Sequence, residues 1–391
     1  MSKTELFIDR AGPLLRAAVV DNGRLTDLHI DNANRPSLLG AVFLGKVERI
    51  VPAMDAAFID LGTGKAGLLS VSDVRPAAGK GAKIGAALRG GQPVLVQVKA
   101  DATGDKGPGL TMDVTLPGRF LVHAPYARGL TVSKRLGQGA ARAELVKRLQ
   151  VAVVGGGWIA RSTAAMAEPA LLGMEAEALA VAWREIGRAA TGATAPARLR
   201  DGPDAVRRAV VEAGRALSRI RVVGDDLARD LKEWAAEAAP DLAGRIETAS
   251  PSLFDTYDVE GDIARLMGPR VPLSGGGSLV IEKTEALTVV DVNAGERGNA
   301  LAVNLEAAAE IARQLRLRNA GGIVVVDFVN MHGRGDGERV LQALTTAVAD
   351  DPVQTQVYGI SRLGLVEMTR ARRGAALLDL LAGAGALRGE D

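Results

Sequence analysis

The run Val289-Val-Asp291-Val-Asn293, echoed by Val325-Val-Asp327-Phe-Val-Asn330, constrains this chain most. Each is apolar, strand-length and carries a carboxylate near its end. Aspartate is disfavoured in strands and costly to bury unpaired, so these two call for a reason. They lie 36 positions apart. Between them, Asn304 to Arg318 repeats apolar residues at helical spacing, with Gly321-Gly322 as the expected stop. A strand–helix–strand unit of that length lays its strands side by side and brings the two carboxylates together. Ionised carboxylates repel unless a cation sits between them, and an all-oxygen site suits Mg²⁺. Such an ion polarises a phosphodiester and generates hydroxide from water. Asn293 shares the strand face of Asp291 and is placed to bond a phosphate oxygen or the attacking water. On pattern alone, Asp291 and Asp327 as caps of a following loop or helix remain the alternative.

Composition narrows the chemistry further. There is no cysteine, so disulfides, thiolate zinc sites and cysteine nucleophiles are excluded. The three histidines, His29, His123 and His332, are scattered. Carboxylates with a hard metal are therefore the agents to expect. The net charge of +2 does not advertise a nucleic-acid binder, so any such site must come from local clustering. At 391 residues the chain calls for several domains, and at 3% aromatics their cores rest on Ala, Val, Leu and Ile. The first residues show no signal peptide, and no apolar run is long enough to span a bilayer, so a soluble cytoplasmic protein is expected.

Alternation predicts a meander over Glu5 to Ile30, turning at Asp21-Asn-Gly. Short strands with Gly-rich turns continue over 40–118 and predict a small barrel, with Arg75 to Gly91 as an exposed loop. Residues 119–200 mix strands (Phe120 to Ala124, Trp158 to Arg161) with helices (Ala141 to Leu149, Pro169 to Arg188), and 203–247 reads as mostly helical. The last third alternates strand and helix, with Asp336 as the expected N-cap of a helix to about Val348 and a strand over Gln354 to Ile360.

The residues around the carboxylates also carry a family likeness. The segment from Pro272 through Gly275-Gly-Gly and Glu282-Lys-Thr-Glu-Ala-Leu to Asn293 resembles the catalytic segment of bacterial RNase E/G. So do Asn304-Leu-Glu-Ala-Ala-Ala-Glu-Ile-Ala-Arg-Gln-Leu-Arg-Leu-Arg to Phe328, and the closing Ile360-Ser-Arg-Leu-Gly-Leu-Val-Glu-Met-Thr-Arg370. Gly45-Lys-Val-Glu-Arg-Ile to Asp60 is similar to the start of that family's embedded S1 domain. The resemblance spans nearly the whole chain. It implies an α/β multidomain fold: an RNase H-like domain (1–37 and 203–268) split by an S1 (OB-type) β-barrel (38–118) and a 5′-sensor domain (119–202), followed by a DNase I-like α/β catalytic domain (269–391). It makes Asp291 and Asp327 the magnesium-binding aspartates, with Mn²⁺ as a substitute ion, and Asn293 the catalytic asparagine beside them. The implied function is a Mg-dependent endoribonuclease that cuts single-stranded RNA in processing or decay. The alternative is a non-catalytic RNA-binding factor that keeps the fold.

By the same resemblance Phe58 and Lys106 hold RNA on the barrel, while Leu68 replaces a second aromatic. Without it, Phe58 reads as core and Lys106 as a solvated loop lysine. Arg161-Ser162 is similar to the family's Arg-Thr pair that reads a 5′ monophosphate, with Gly129 near another sensor position, and a structural Arg161 is the alternative. Seven basic residues (Arg119, Arg128, Lys134, Arg135, Arg142, Lys147 and Arg148) stand against one acid, Glu144, over 119–150 and suit a phosphate backbone or a solvated helix face. Arg370, Arg372 and Arg373 read the same two ways. This sequence departs from the family pattern in lacking the cysteines of the zinc-link. No structural zinc is expected, and any oligomer would form without that link. The segment between Asn293 and Asn304 is shorter than in better-known members, and Asn330 stands where many carry an acid.

Overall fold

The computed structural model describes residues 3–75, 83–133, 136, 139–153, 155–213 and 217–382. Lys134 and Arg135 lie outside the described residues, as do 76–82 of the expected loop. The chain is a mixed α/β protein of two compact units. Met1–Arg35, Ala216–Asp225 and Glu247–Asp391 form the first, and Pro36–Arg215 with Asp226–Ile246 the second.

The chain opens in the first unit with β1 (Thr4–Ala11), β2 (Leu14–Asp21) and β3 (Arg24–Asn32), an antiparallel meander. Asn22 and Gly23 both take positive φ, which the tight Asn-Gly hairpin turn requires.

The second unit begins with β4 (Val42–Val51), β5 (Ala56–Asp60), β6 (Gly67–Ser70), β7 (Pro93–Ala100) and β8 (Gly109–Thr111). Their order is β4-β5-β6-β8-β7, and pairing of β4 with β7 closes the barrel. Alternate residues such as Phe43, Ile59, Leu69, Val96 and Leu110 fill it. The stretch expected as an exposed loop contributes to this core. A single helical turn, α1 (Ile84–Ala87), buries Ile84, and Leu88 joins it. Two apolar residues four apart among Gly, Ala and Lys gave too weak a period to be read as structure.

A four-stranded sheet follows: β9 (Leu116–Pro117), β10 (Leu121–Ala124), β11 (Gly129–Val132) and β12 (Gly157–Ala160), in the order β11-β12-β10-β9. Helices α2 (Ala140–Ala152) and α3 (Pro169–Gly192) pack on it through Leu145, Leu149, Leu172 and Ala176. Then β13 (Ala197–Arg200) returns to pair with β4. After α4 (Ala205–Glu212) comes β14 (Leu217–Val223), in a stretch expected to be mostly helical. Its signal was present: Ile220 and Val222 are buried while Arg219 and Arg221 alternate with them. It pairs parallel with β1, giving the order β15-β14-β1-β2-β3. The remaining elements before the last sheet are α5 (Asp225–Ala238), α6 (Pro240–Ala243), β15 (Ile246–Ala249), α7 (Leu253–Thr256) and α8 (Val259–Met267).

The last part of the first unit is a six-stranded sheet of β16 (Arg270–Pro272), β17 (Ser278–Lys283), β18 (Leu287–Asn293), β19 (Gly322–Asp327), β20 (Thr355–Ile360) and β21 (Val366–Arg370). The order is β16-β17-β18-β19-β21-β20. Helices α9 (Ala300–Leu317) and α10 (Asp336–Val348) pack on one face against Val290, Val292, Val324 and Val326, and α11 (Leu377–Ala382) follows. The opposite face is open, with Ile323 52% exposed. Two helix ends differ from expectation. Asn319, at φ 45°, turns the chain out of α9, while Gly322 already begins β19. Gly335, at φ 82°, is the N-cap of α10, and Asp336 is the first helical residue, where its charge favours the helix N-terminus.

Candidate active site

β18 and β19 run parallel, and their register pairs Asp291 with Asp327. Paired residues point to the same face, so the two carboxylates rise side by side from the open face. Burial fixes that placement. Val290, Val292, Val324 and Val326 need the helical layer, and a slip of one residue would reverse every side chain. Both aspartates are exposed. Asn293 lies on the same face, and its Nδ2 donates to Asp291 Oδ2 at 2.7 Å. Asn330 is exposed beyond the end of β19.

Like charges directly opposite in a sheet destabilise it unless something neutralises them. Among the described residues no group of three or more His, Cys, Asp or Glu gathers into a closed metal cage. An exposed carboxylate pair instead fits Mg²⁺, which binds through one or two carboxylates, keeps several waters and takes substrate phosphates. The same donor set is unsuited to a four-ligand zinc site.

Two residues of α9 shape this edge, and neither stood out in the sequence. Asn304 is fully buried; its Nδ2 donates to Val329 O at 2.8 Å and its Oδ1 accepts from Val329 N at 3.0 Å. It thereby pins the backbone two residues past Asp327. The available signal was a polar residue beside Val303 and Ala307 on the helix's buried stripe. Glu306 accepts from Ser274 Oγ at 2.7 Å, Gly275 N at 3.0 Å and Arg297 Nη1 at 2.6 Å. It ties together the two loops flanking the Ser278–Asn293 pairing. Between those loops, Gly277 (φ 86°) passes so close to Asn293 that a Cβ would fall 2.4 Å from its carbonyl oxygen.

The Gly275 amide, then the Ser274 hydroxyl and Arg297, hold the Glu306 carboxyl down to about 2 from an ordinary 4.5. A depressed carboxyl contributes stability that is present above 4.5 and lost as pH falls toward 2. Glu306→Gln is therefore expected to narrow the drop in urea midpoint between pH 6 and pH 3. A drop as large as that of the parent chain would refute this role.

On the barrel, Phe58 is half-buried and pairs with Leu68 across β5 and β6. Arg49 lies over the Phe58 ring at 4.8 Å. Phe58 therefore sits outside the barrel core formed by Ile59 and Leu69, on a face that also offers a cation. Lys106 is exposed in the turn closed by Thr103.

Of the expected 5′-phosphate residues, Arg161 and Ser162 adjoin just past β12, and Gly129 stands at the other end of that strand's pairing. Arg161 Nη1 donates to Gly118 O and Val211 O, each at 2.8 Å, contacts that suit the structural alternative. Ser162 begins the short turn that follows. Gly129 pairs with Gly157, at the far end of β12. Four residues of strand put it roughly 13 Å along the sheet from Arg161. Part of the local basic cluster is engaged within the fold, though among the described residues only Arg119 is neutralised by an acid. Arg119 is held by Asp241 through two hydrogen bonds, Arg142 donates to Ser133 O, and Arg148 donates to Ala165 O and Ala167 O. Arg128 and Lys147 remain exposed. Arg370 is buried against Asp351, so it belongs to neither an RNA-contacting nor a solvated run.

Comparison with known proteins places the chain among ribonuclease relatives. The profile of the Ribonuclease E/G family matches residues 115–373. The chain is 37% identical to Ribonuclease G of Escherichia coli (strain K12), over 94% of this chain and 80% of that protein. It is 33% identical to Ribonuclease G of Haemophilus influenzae, over 97% and 82%. With Ribonuclease E of Nostoc sp. it shares 35%, over 93% of this chain and 55% of that protein.

Proposed function

The chain belongs to the Ribonuclease E/G family, and from that premise we propose that it is a magnesium-dependent endoribonuclease acting on single-stranded RNA. Membership makes it a ribonuclease. The finer reading is carried by one observation, the register pairing of Asp291 with Asp327 on an open sheet face. These two carboxylates would hold the ion, and a bound Mg²⁺ supplies charge to the scissile phosphate and acidifies water. Asn293 orients Asp291 through its amide. Glu306 and Asn304 keep the flanking backbone in place, so the reacting groups need little rearrangement.

On the barrel, Phe58 with Arg49 offers a base an aromatic face beside a cation, and Lys106 offers a phosphate contact. Leu68, where a second ring would stand, makes this platform weaker. No helix among the described residues is long and apolar enough to cross a membrane.

A fluorophore-labelled single-stranded RNA with a 5′ monophosphate tests the reading. Internal cleavage is expected with Mg²⁺ and should vanish with EDTA. Cleavage that persists in EDTA would overturn the metal. Binding without cleavage across Mg²⁺ and Mn²⁺ concentrations would leave a non-catalytic RNA-binding factor.

A further inference from the structure

The open face of the six-stranded sheet carries two features that the cleavage chemistry does not use. Tyr358, on β20, is 60% exposed, more than Tyr126 at 42% or Tyr257 at 40%. Those two lean on other rings, Trp183 and Phe7. Tyr358 instead bonds Thr369 Oγ1 through its hydroxyl at 3.1 Å. Thr369 pairs with Ile323, on the face of Asp327, so the phenol reaches across β21 on the solvent side. Its ring is thus held along the sheet with a face toward water. The register shifts between Val357 and Gly359, and Tyr358 is the extra residue. A bulge of this kind re-aims one side chain and is common beside active sites.

At the opposite edge, one transverse row runs Arg270, Val280, Asp291, Asp327 across four strands. Arg270 is exposed, and its Nη1 lies 3.3 Å from Ser278 Oγ. Two strand spacings put its Cα roughly 10 Å from that of Asp291. Tyr358 lies two spacings from Asp327 on the other side and two to three residues back, roughly 12 Å away.

We infer that Tyr358 and Arg270 extend the active site into a track for single-stranded RNA, with Tyr358 stacking a base and Arg270 holding a phosphate on the other side of the carboxylates. The inference rests on the endoribonuclease reading. An aromatic face and a basic fork flanking a cleavage centre are the two elements that grip a single strand without reading its sequence. At ~3.4 Å per nucleotide in a stacked strand, and more in an extended one, Tyr358 meets a base within about four nucleotides of the cut. A second copy of the chain suits this face less well. Self-docking through this face would take the exposed carboxylates Asp291, Asp327 and Glu367 out of water, which is costly for charges not individually paired.

The test uses the full chain and single-stranded RNA oligonucleotides carrying 2-aminopurine at one position at a time. Stacking on Tyr358 should quench one position in the non-cutting Asp327→Asn background with Mg²⁺. Tyr358→Ala should abolish that quench, and Tyr358→Trp should keep it. In the cutting chain, Tyr358→Ala should raise KM about tenfold with kcat nearly unchanged. Arg270→Ala should weaken binding to all sequences alike and lower the salt slope by about one. A fluorescence profile unchanged by Tyr358→Ala overturns the track. So does a dimer, seen by sedimentation without RNA, that Tyr358→Ala dissolves. If the parent chain never cuts yet its quench depends on Tyr358, the track stands and the endoribonuclease reading falls.

Discussion

Asp291→Asn and Asp327→Asn should each lower cleavage by about a thousandfold or more, and each should erase the rise in melting temperature that Mg²⁺ gives the parent chain. The first effect follows from charge. A bound cation supplies several kcal/mol to the transition state, and about 1.4 kcal/mol is a tenfold change in rate. The second follows from linkage: an ion that binds only the folded chain stabilises it in proportion to the logarithm of its concentration over Kd. Asparagine keeps the shape but halves the charge available to the ion. Without metal the variants should be no less stable than the parent, because the register places the two carboxylates directly opposite, where like charges repel. This separates loss of the site from loss of the fold. Cleavage assays and thermal scans, each with Mg²⁺ and with EDTA, give both readouts. Variants that cut within about tenfold of the parent would remove these aspartates from the mechanism. Variants that melt earlier in EDTA would recast them as structural caps. Asn293→Ala should cost less, about 10- to 100-fold, because Asn293 acts on Asp291 rather than replacing its charge.

The carboxylate pair was legible because two periods coincide there. Alternating valines fix which face of each strand is buried, and the 36-residue spacing with one helix fixes that the strands lie parallel. The opening meander was legible for a similar reason, since an Asn-Gly turn between alternating runs leaves few other folds. What escaped was short, charged or tertiary. β13 and β14 are built on arginines whose long stems pass as surface, although Ile220 and Val222 alternate in β14. Arg161 was read through its motif, yet its Nη1 is taken by carbonyls of Gly118 and Val211, residues far away in sequence. Glu306 and Asn304 sit on a helix whose period is set by its apolar residues, so their polar work at its edge left little mark on the pattern. A bulge such as that at Tyr358 depends on the register with β21, which no single strand specifies.

Asp351→Ala should be the most destabilising single change in the first unit outside its apolar core. Arg370 is read from sequence as a surface cation, but its side chain and that of Asp351 are each 3% exposed. Asp351 accepts from Arg370 Nε at 2.7 Å and from Nη2 at 3.2 Å, and it also takes the Val353 amide at 2.9 Å. Arg370 Nη1 donates to Ala320 O at 3.0 Å, so the pair anchors the turn that launches β19, the strand of Asp327. Removing the acid leaves a guanidinium buried without its counter-charge, a loss that typically costs about 3–5 kcal/mol. In a domain of this size that is a fall in melting temperature of roughly 10 °C. Asp351→Asn should fall between, since its amide oxygen can still accept from Val353 or Arg370. The register of Asp291 with Asp327 rests on β18–β19 valines rather than on this pair. At 25 °C, then, kcat of the folded fraction should stay near that of the parent while the folded fraction shrinks. Active-site titration beside thermal unfolding measures both quantities. An Asp351→Ala chain that melts within about 2 °C of the parent would show that water reaches Arg370 once the acid is gone, and that the pair is not closed to solvent.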